Sequence, residues 1–312
     1  MLKQYSFCFL TLLMLLTIQS CNKDQQTTPN FIPGTIEQIN ADSLKADAQW
    51  LQDMGTRFFL ADNHRKIAER IRKRFVGWGY TNALLDSFYL SFNYKGTTYN
   101  SWQYNVIATL EGSGDSTCIM GSHYDDIVYS GDPFTYAPGA NDNASGVSAV
   151  FEIARLIHKI PDKPRHTIKF IAFAAEEGGL YGSYDYAVKA KQKNEKIVMM
   201  LDNDMISVLS SPKTKPWYMN IINYSNSTKL FTDACNACSS YTSLSYINDN
   251  TNWNRSDSYP FYYFGYMPLI FTEASDDGNY HTVNDLVSTC NYEYCREMVK
   301  ISYAMLLEKN YK

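Results

Sequence analysis

The sequence lacks basic clusters and any large excess of one charge. Its 28 Lys and Arg residues nearly balance its 32 Asp and Glu residues, so the 312-residue chain has a formal net charge of −4. A mildly acidic chain without basic clusters is not expected to bind nucleic acid or to adhere to an anionic membrane surface. Charged residues make up only 19% of the chain and hydrophobic residues 45%, which excludes disorder and a coiled coil for most of it.

The sequence also lacks a hydrophobic run that is long enough to cross a bilayer well. Lys3 is followed by the apolar run SFCFLTLLMLLTI, which is too short for a good transmembrane span and has the layout of a secretory signal. The later apolar stretch 259–271 is interrupted by two prolines and a glycine. The sequence therefore predicts an exported protein in which residues 1–20 are a removable signal.

The end of the signal also predicts how the protein is held in the cell envelope. Ile18, Ser20 and Cys21 resemble a bacterial lipobox, in which the cysteine becomes the lipid-modified N-terminus. The alternative is a simple cleaved signal followed by an incidental cysteine. Residues 21–37 are polar and contain two prolines, so they are predicted to be a flexible tether, and residues 38–312 to be a single domain. A lipid at Cys21 would then be the only membrane attachment, on the periplasmic or cell-surface face.

Cysteine usage agrees with export but does not define a disulfide framework. Seven cysteines less Cys8 in the signal and Cys21 at the anchor leave five. Cys118 lies in a predicted core strand and is expected to be a free buried thiol. An exported compartment permits disulfides, and a structural disulfide or plain burial is favoured over a zinc knuckle because the second pair lacks knuckle spacing. The four cysteines concerned are Cys235, Cys238, Cys290 and Cys295.

Apolar runs of strand length alternate with helical patterns along the chain. Several of the runs are continuously apolar, as strands covered on both faces are. The predicted strands are 83–93, 104–110, 117–122, 167–175, 197–201, 217–223 and 267–272, and the predicted helices are 62–78, 144–158, 179–191, 227–238 and 291–308. Such alternation predicts a three-layer α/β/α fold with a mixed, mostly parallel central sheet.

Histidines and carboxylates follow several of the predicted strands. They are His123 and Asp125 in GSHYDD, Asp142 in PGANDNASG, Glu176 and Glu177 in FAAEEGGLYGS, Asp204 in LDNDMI and His281 in NYHTVNDL. Ligands of open α/β sheets bind outside the carboxyl ends of the strands. Imidazole and carboxylate ligands suit zinc, and this set is too large for one tetrahedral ion but fits two ions that share a carboxylate. One of the two adjacent glutamates can bind metal while the other transfers protons.

These five motifs resemble those of the zinc-dependent aminopeptidases of metallopeptidase family 28, in the same order and over about residues 45–310. The resemblance implies a single zinc peptidase domain with two zinc ions, acting on peptides that have a free N-terminus. It implies that one zinc takes His123, Asp142 and Asp204, and that the other takes Asp142, Glu177 and His281.

The resemblance also assigns roles to three residues that do not bind metal. Glu176 is the expected general base and acid, and Asp125 is expected to orient His123 through its other ring nitrogen. Tyr280 occupies a position where some members have a tyrosine that stabilises the tetrahedral intermediate. The alternative for Tyr280 is a packed tyrosine at the rim of the site.

Two departures from the family pattern leave alternatives open. Asp202 competes with Asp204 as the ligand, and Ser258 stands where a histidine is common. Two other functions are also compatible with the scaffold: a glutaminyl cyclase-like enzyme with one zinc, and a non-catalytic surface binding protein. The preferred side chain, the peptide length and the oligomeric state do not follow from the sequence.

Overall fold

The computed structural model describes residues 31–209, 216–275 and 278–312. The predicted signal and Cys21 lie outside the described residues. The strands are β1 Leu84–Tyr94, β2 Thr97–Leu110, β3 Ser116–His123, β4 Thr167–Phe173, β5 Lys196–Asn203, β6 Trp217–Asn223, β7 Leu244–Ile247 and β8 Pro268–Glu273. The helices are α1 Phe31–Ile36, α2 Ala41–Gln52, α3 His64–Gly77, α4 Gly146–Ile157, α5 Tyr181–Gln192, α6 Thr228–Tyr241, α7 Ser258–Tyr263 and α8 Tyr292–Tyr311.

The eight strands form one sheet in the order β1-β2-β4-β3-β5-β8-β6-β7. The pairs β3–β4, β3–β5, β5–β8 and β6–β7 are parallel, and the pairs β1–β2, β2–β4 and β6–β8 are antiparallel. The predicted mixed, mostly parallel sheet is confirmed. Strand β7 was not predicted, because its four residues carry too short an apolar pattern to stand out from the surrounding polar segment.

The central strands are buried on both faces. Along β3, Cys118 and Met120 face one hydrophobic cluster, while Ile119 faces a second cluster on the other side of the sheet. Successive side chains of a strand point to opposite faces, so an unbroken apolar run fills both interfaces at once. Helices α4 and α8 supply the first cluster, and α5 and α7 supply the second. This arrangement produces the three layers.

The prediction of a flexible tether through residue 37 is wrong over its last residues. Helix α1 covers Phe31–Ile36, and the side chains of Ile32 and Ile36 are buried in the main core. Glu37, just beyond the helix, accepts a hydrogen bond from the buried Lys300 of α8. Three apolar residues around a Pro-Gly pair were too few to show a helical period, but docking on α8 stabilises the turn.

The described residues contain free cysteines and no membrane-spanning helix. All five cysteines from Cys118 onward are free, and Cys118 is a buried thiol as expected. No disulfide forms among the four others in this part of the chain: Cys235, Cys238 and Cys295 are buried, and Cys290 is partly buried. No helix of the described ranges combines the length and the apolar character that crossing a membrane requires.

Candidate active site

The predicted ligands meet at the carboxyl edge of four adjacent strands. His123 is the last residue of β3, Asp204 directly follows β5, and Glu177 follows β4 by four residues. Asp142 lies in the turn that leads into α4, and His281 lies in the loop after β8. Three groups of three side chains each have donor atoms within 4.8 Å of one another: His123, Asp142 and Asp204; Asp142, Glu177 and His281; and His123, Glu176 and Glu177. The first two groups are the predicted sets and are referred to below as the two sets.

The carboxylate of Asp142 lies between the two histidines. Its Oδ1 is 3.2 Å from Nε2 of His123, and its Oδ2 is 3.0 Å from Nε2 of His281. Each set is completed by a second acid: Oδ1 of Asp204 lies 3.4 Å from His123 Nε2, and Oε2 of Glu177 lies 2.9 Å from His281 Nε2. Asp142 therefore belongs to both sets, as a bridging ligand must.

The two adjacent glutamates have different surroundings. Glu177 lies against His281, whereas Oε2 of Glu176 is 3.9 Å from His123 Nε2 and its side chain lines the open cleft. Ala175 has φ +57° and Gly179 has φ +127°, so the chain turns sharply on both sides of the pair. The Cβ of any residue replacing Gly178 would lie 2.8 Å from the Phe59 ring, which explains a glycine there.

Asp125 contacts both His123 and the glutamate pair, through different groups. The Nδ1 atom of His123 lies 3.1 Å from the main-chain carbonyl oxygen of Asp125, while the Asp125 carboxylate is 3.8 Å away. That carboxylate instead accepts hydrogen bonds from the backbone N–H groups of Glu176 and Glu177, at 3.0 and 3.2 Å. Asp125 therefore contacts the second ring nitrogen of His123 through its main chain, a detail that the prediction did not specify. The carbonyl orients the ring, and the carboxylate positions the glutamate pair.

The choice between Asp202 and Asp204 is decided by geometry. Asp202 is fully buried, and its Oδ2 accepts hydrogen bonds from the Ser256 hydroxyl at 2.8 Å and the Ser258 N–H at 2.9 Å. Asp204 faces His123, and the same Ser256 hydroxyl lies 2.7 Å from its Oδ2. Asp204 thus joins the donor group, and Asp202 supports the Ser256 segment from behind.

Sequence analysis missed the residues that hold the Asp142 turn in place. The carboxylate of Asp285 accepts hydrogen bonds from the backbone N–H groups of Asn141 and Asp142, at 2.7 and 3.0 Å. The Arg57 guanidinium donates to the carbonyl oxygens of Pro138 and Gly139, which directly precede this turn. Asp285 stands in the quoted NYHTVNDL motif and could have been noticed, whereas no local signal marks Arg57.

Burial and the mutual repulsion of the acids shift the pKa values of the site residues. Burial raises the pKa of Glu176 well above its ordinary value, and the charge of Glu177 adds to the effect. Burial and the charge of Asp142 raise the pKa of Glu177 to about 8. Burial opposes a charge on His281, but hydrogen bonds to Asp142 and Glu177 outweigh it and raise its pKa to about 10. The carboxylates therefore attract positive charge strongly.

These residues fit a divalent cation of the zinc type. Oδ1 of Asp204 is buried and accepts no hydrogen bond from the described residues. One N–H on His281 Nε2 faces carboxylate oxygens of both Asp142 and Glu177 at about the same distance, more acceptors than one proton can satisfy. No Lys or Arg of the described chain pairs with the three acids of the two sets or with Glu176. Imidazole and carboxylate donors in this number suit zinc.

A cleft of about 320 Å³ opens beside the donor groups. Its floor is one face of the antiparallel pair β6–β8, where Ile222 lies opposite Ile270. Met205 and the half-exposed Ile247 add apolar surface, and Tyr280 stands at the rim with its ring stacked on His281 at 3.6 Å between centroids. Tyr280 is 43% exposed and lines the cleft. The segment 217–263 contributes much of the lining but none of the five donor residues.

Comparisons with known proteins agree on one family. Residues 105–306 match the family described as peptidase family M28. A protein of Arthroderma otae named "Probable leucine aminopeptidase" is 25% identical over 284 residues, covering 87% of this chain and 73% of its own. Leucine aminopeptidase 1 of Ajellomyces capsulatus is 25% identical over 274 residues, covering 81% of this chain and 67% of its own.

Solved structures share the fold at low sequence identity. The LapA aminopeptidase of Legionella pneumophila superposes with a TM-score of 0.72 at 19% identity, over 89% of this chain and 74% of LapA. BSAP, a zinc aminopeptidase from Bacillus subtilis, superposes with a TM-score of 0.56 at 24% identity, over 69% of this chain and 52% of BSAP. A Bacteroides thetaiotaomicron glutaminyl cyclase bound to N-acetylhistamine superposes with a TM-score of 0.67 at 17% identity, over 86% of this chain and 98% of the cyclase. The fold is therefore shared by both of the enzyme classes considered above.

Proposed function

The chain belongs to peptidase family M28 and is an aminopeptidase, and from this premise we propose that it uses two zinc ions and Glu176 to remove the N-terminal residue of peptides. The observation that carries the proposal is the position of Asp142, whose two carboxylate oxygens each face a different histidine. One ion would be bound by one of these sets, and the second complete set of donors indicates a second ion.

The residues that would hold the metal are the two sets described above. His123, Asp142 and Asp204 would hold one ion, and Asp142, Glu177 and His281 the other. Zinc bound there would make a water molecule nucleophilic near neutral pH and polarise the scissile carbonyl.

Glu176 is the proposed proton-transfer group. It lines the cleft without belonging to either of the two sets, and burial raises the pKa of its carboxyl above the ordinary value, which favours acceptance of a proton. Glu176 accepts the proton of the attacking water and then donates it to the leaving amine nitrogen. The Asp125 carboxylate holds the backbone of Glu176 and Glu177, so both side chains keep their separate directions.

Tyr280 is the candidate for stabilising the developing negative charge on the carbonyl oxygen. It is a hydroxyl donor at the cleft rim, and its stacking on His281 fixes its ring beside the second set. One hydrogen-bond donor to an oxyanion typically contributes 10²–10³-fold to kcat, which is the scale expected for Tyr280→Phe.

The cleft favours a substrate with a free N-terminus and an apolar first side chain. The carboxylates at its inner end attract an α-ammonium group, and Met205, Ile222 and Ile270 offer an apolar floor. The relatives named above are leucine aminopeptidases, and a leucine side chain suits this surface. We therefore include a preference for leucine-like N-terminal residues in the proposal.

The glutaminyl cyclase alternative is kept as an outcome of the test. A panel of aminoacyl p-nitroanilides and short peptides, assayed with and without chelator and with added zinc, should show release of N-terminal leucine that chelator abolishes and zinc restores. Elemental analysis should give two zinc ions per chain. Pyroglutamate formation from a Gln-initiated peptide, with one tightly bound zinc, would support the cyclase instead, and a chain that binds no metal would support the non-catalytic binding protein.

Export and lipid attachment at Cys21 complete the proposal. Their support is the sequence alone, namely the apolar run after Lys3 and the residues up to Cys21. Mass spectrometry of the protein from membranes should detect a lipid-modified Cys21 as the N-terminus. An unmodified N-terminus downstream of Cys21 would contradict the lipid anchor.

A further inference from the structure

The charges that line the cleft are unevenly distributed. At the inner end lie the acids of the donor groups, among them Asp142, Glu176 and Asp204. Among the described residues that line the cleft, Arg255 is the one with a permanent positive charge. A cleft that has acids at one end and a single cation elsewhere suits a ligand that carries both charges.

The position of Arg255 is fixed by its neighbour in the chain. The hydroxyl of Ser256 lies within hydrogen-bond distance of both Asp202 and Asp204, and the Ser258 N–H donates to Asp202. The backbone at Ser256 is therefore tied to a residue of the first donor set. Arg255 begins one residue away, about 3.8 Å along the chain, and its side chain reaches the cleft.

The guanidinium of Arg255 has no anionic partner in the part of the chain that the structure describes. It occurs in none of the ion pairs there, and the residue is exposed. Asp249, which lines the cleft from the same loop, instead accepts hydrogen bonds from the backbone and hydroxyl of Thr251. A guanidinium presents paired donors that match a carboxylate, so the cleft offers a site for an anion of that shape.

We propose that Arg255 binds the carboxylate of the residue that follows the scissile bond, so that the preferred substrates are dipeptides with a free C-terminus. The proposal rests on the aminopeptidase function proposed above. When the α-ammonium and the scissile bond lie at the acidic end, the C-terminal carboxylate of a dipeptide lies about 3.5 Å further, the length of one extended residue. Arg255 precedes Ser256, whose hydroxyl contacts Asp204 of the first donor set, and Arg255 lines the same cleft as that set.

The test compares peptides that differ only in this carboxylate. For the zinc-loaded protein, kcat/KM for Leu-Gly should exceed that for Leu-Gly amide by about tenfold, the scale of one charge-assisted contact. In Arg255→Gln the ratio should fall to about one, and in Arg255→Lys it should lie between these values. Arg65→Gln removes an exposed arginine of α3 outside the cleft, and its ratio should equal that of the unchanged protein.

The salt dependence of the kcat/KM ratio provides a second measurement, which can be made on the unchanged protein. An exposed charge is screened at high ionic strength, so the ratio for the unchanged protein should decline between 0.01 M and 1 M salt, where the Debye length falls from about 30 Å to about 3 Å. The ratio for Arg255→Gln should stay constant. If that variant is inactive on both peptides, the salt dependence of the unchanged protein decides.

The outcomes separate this proposal from the proposed function. Failure to hydrolyse Leu-p-nitroanilide and both peptides in the presence of zinc contradicts the aminopeptidase mechanism itself. Hydrolysis with equal kcat/KM for Leu-Gly and Leu-Gly amide, or a ratio that Arg255→Gln leaves unchanged, overturns the role of Arg255 alone. A preference for Leu-Asp amide over Leu-Asn amide without one for Leu-Gly assigns Arg255 to an acidic side chain and overturns the dipeptide preference.

Discussion

Glu176 and Glu177 are neighbours in the chain, yet their side chains face different partners. Glu177 lies 2.9 Å from His281, whereas Glu176 faces the cleft and approaches His123 only to 3.9 Å. Successive side chains at the end of a strand point in opposite directions, and the positive φ angles of Ala175 and Gly179 allow the chain to turn so that both reach the site. The different surroundings of two identical side chains are thus set by backbone direction.

Replacement of each glutamate by glutamine should separate these roles. Glu176→Gln keeps its shape but removes the base, so it should retain both zinc ions while kcat falls by about 10²–10⁴-fold, the usual scale for acid–base catalysis. Glu177→Gln should bind one ion more weakly, with activity partly recovered at high zinc. Zinc titration and steady-state kinetics on both variants measure this. Loss of an ion by Glu176→Gln with full retention by Glu177→Gln would reverse the assignment.

Asp285 should matter for metal affinity although it binds no metal itself. Its carboxylate accepts the N–H groups of Asn141 and Asp142, and an amide in its place would turn a donor toward one of them. Asp285→Asn should therefore weaken zinc binding by about 10–100-fold, the range found when groups that orient metal ligands are changed. Competition with a chromogenic chelator measures the affinity. The exposed neighbour Asn284 makes no such side-chain contact, so Asn284→Ala should bind zinc normally.

At the scale of elements, the site depends on how closely α4 approaches the sheet. Gly146 begins α4, and a Cβ there would lie 2.1 Å from the carbonyl oxygen of Asn203 at the end of β5. That close approach places the turn containing Asp142 beside Asp204. The side chain of Asn143 reinforces it by donating to the same carbonyl oxygen at 3.0 Å.

The close approach predicts a large effect for a small substitution. Gly146→Ala should destabilise the fold by about 1–3 kcal/mol or more, because neither backbone can yield without displacing the ligands. Gly77 also lies in a helix, but a Cβ there meets nothing within 4 Å. Gly77→Ala should therefore raise stability, by about 0.5–1 kcal/mol. Thermal unfolding of both zinc-loaded variants measures the difference, and equal melting temperatures would contradict the packing described.

The sequence motifs predicted the central elements and the donor residues, because each motif follows a continuous apolar strand. They could not show that Asp125 uses its carbonyl rather than its carboxylate on His123, since this depends on backbone direction after β3. Arg57 was missed because its partners lie 67–82 residues further along the chain. Helix α1 was missed because tertiary packing on α8, and not local periodicity, stabilises it.

At the scale of the whole molecule, the site concentrates negative charge in the interior. Asp125, Asp202 and Asp257 are buried behind the donor groups, in addition to the acids that face the cleft. Burial raises the pKa of Asp202 to about 7, and the charge of Asp204 adds to this. Such a cluster is stable as a set of charged groups only when positive charge neutralises it.

Removal of zinc should therefore lower stability as well as activity. Binding to the folded state alone stabilises it by about 4 kcal/mol when the free ligand is at 1,000 times its dissociation constant. Treatment with chelator should abolish hydrolysis and reduce the melting temperature by several degrees, and two equivalents of zinc should restore both. Calorimetry with stepwise zinc addition measures this. An unchanged melting temperature on chelation would contradict the role given to the metal in neutralising the cluster.

Residues 217–263, from β6 to α7, supply much of the cleft wall and none of the five donor side chains, and they join the main sheet through the pairing of β6 with β8. Much of the surface that contacts the substrate and the side chains that would bind metal therefore come from different parts of the chain. Substitutions in this one contiguous segment that spare Ser256, whose hydroxyl contacts Asp204, are expected to alter which peptide is accepted while leaving the five donor side chains in place. A chimera that takes this segment from a relative, with the β6–β8 register preserved, is the natural unit for transferring substrate preference within the family.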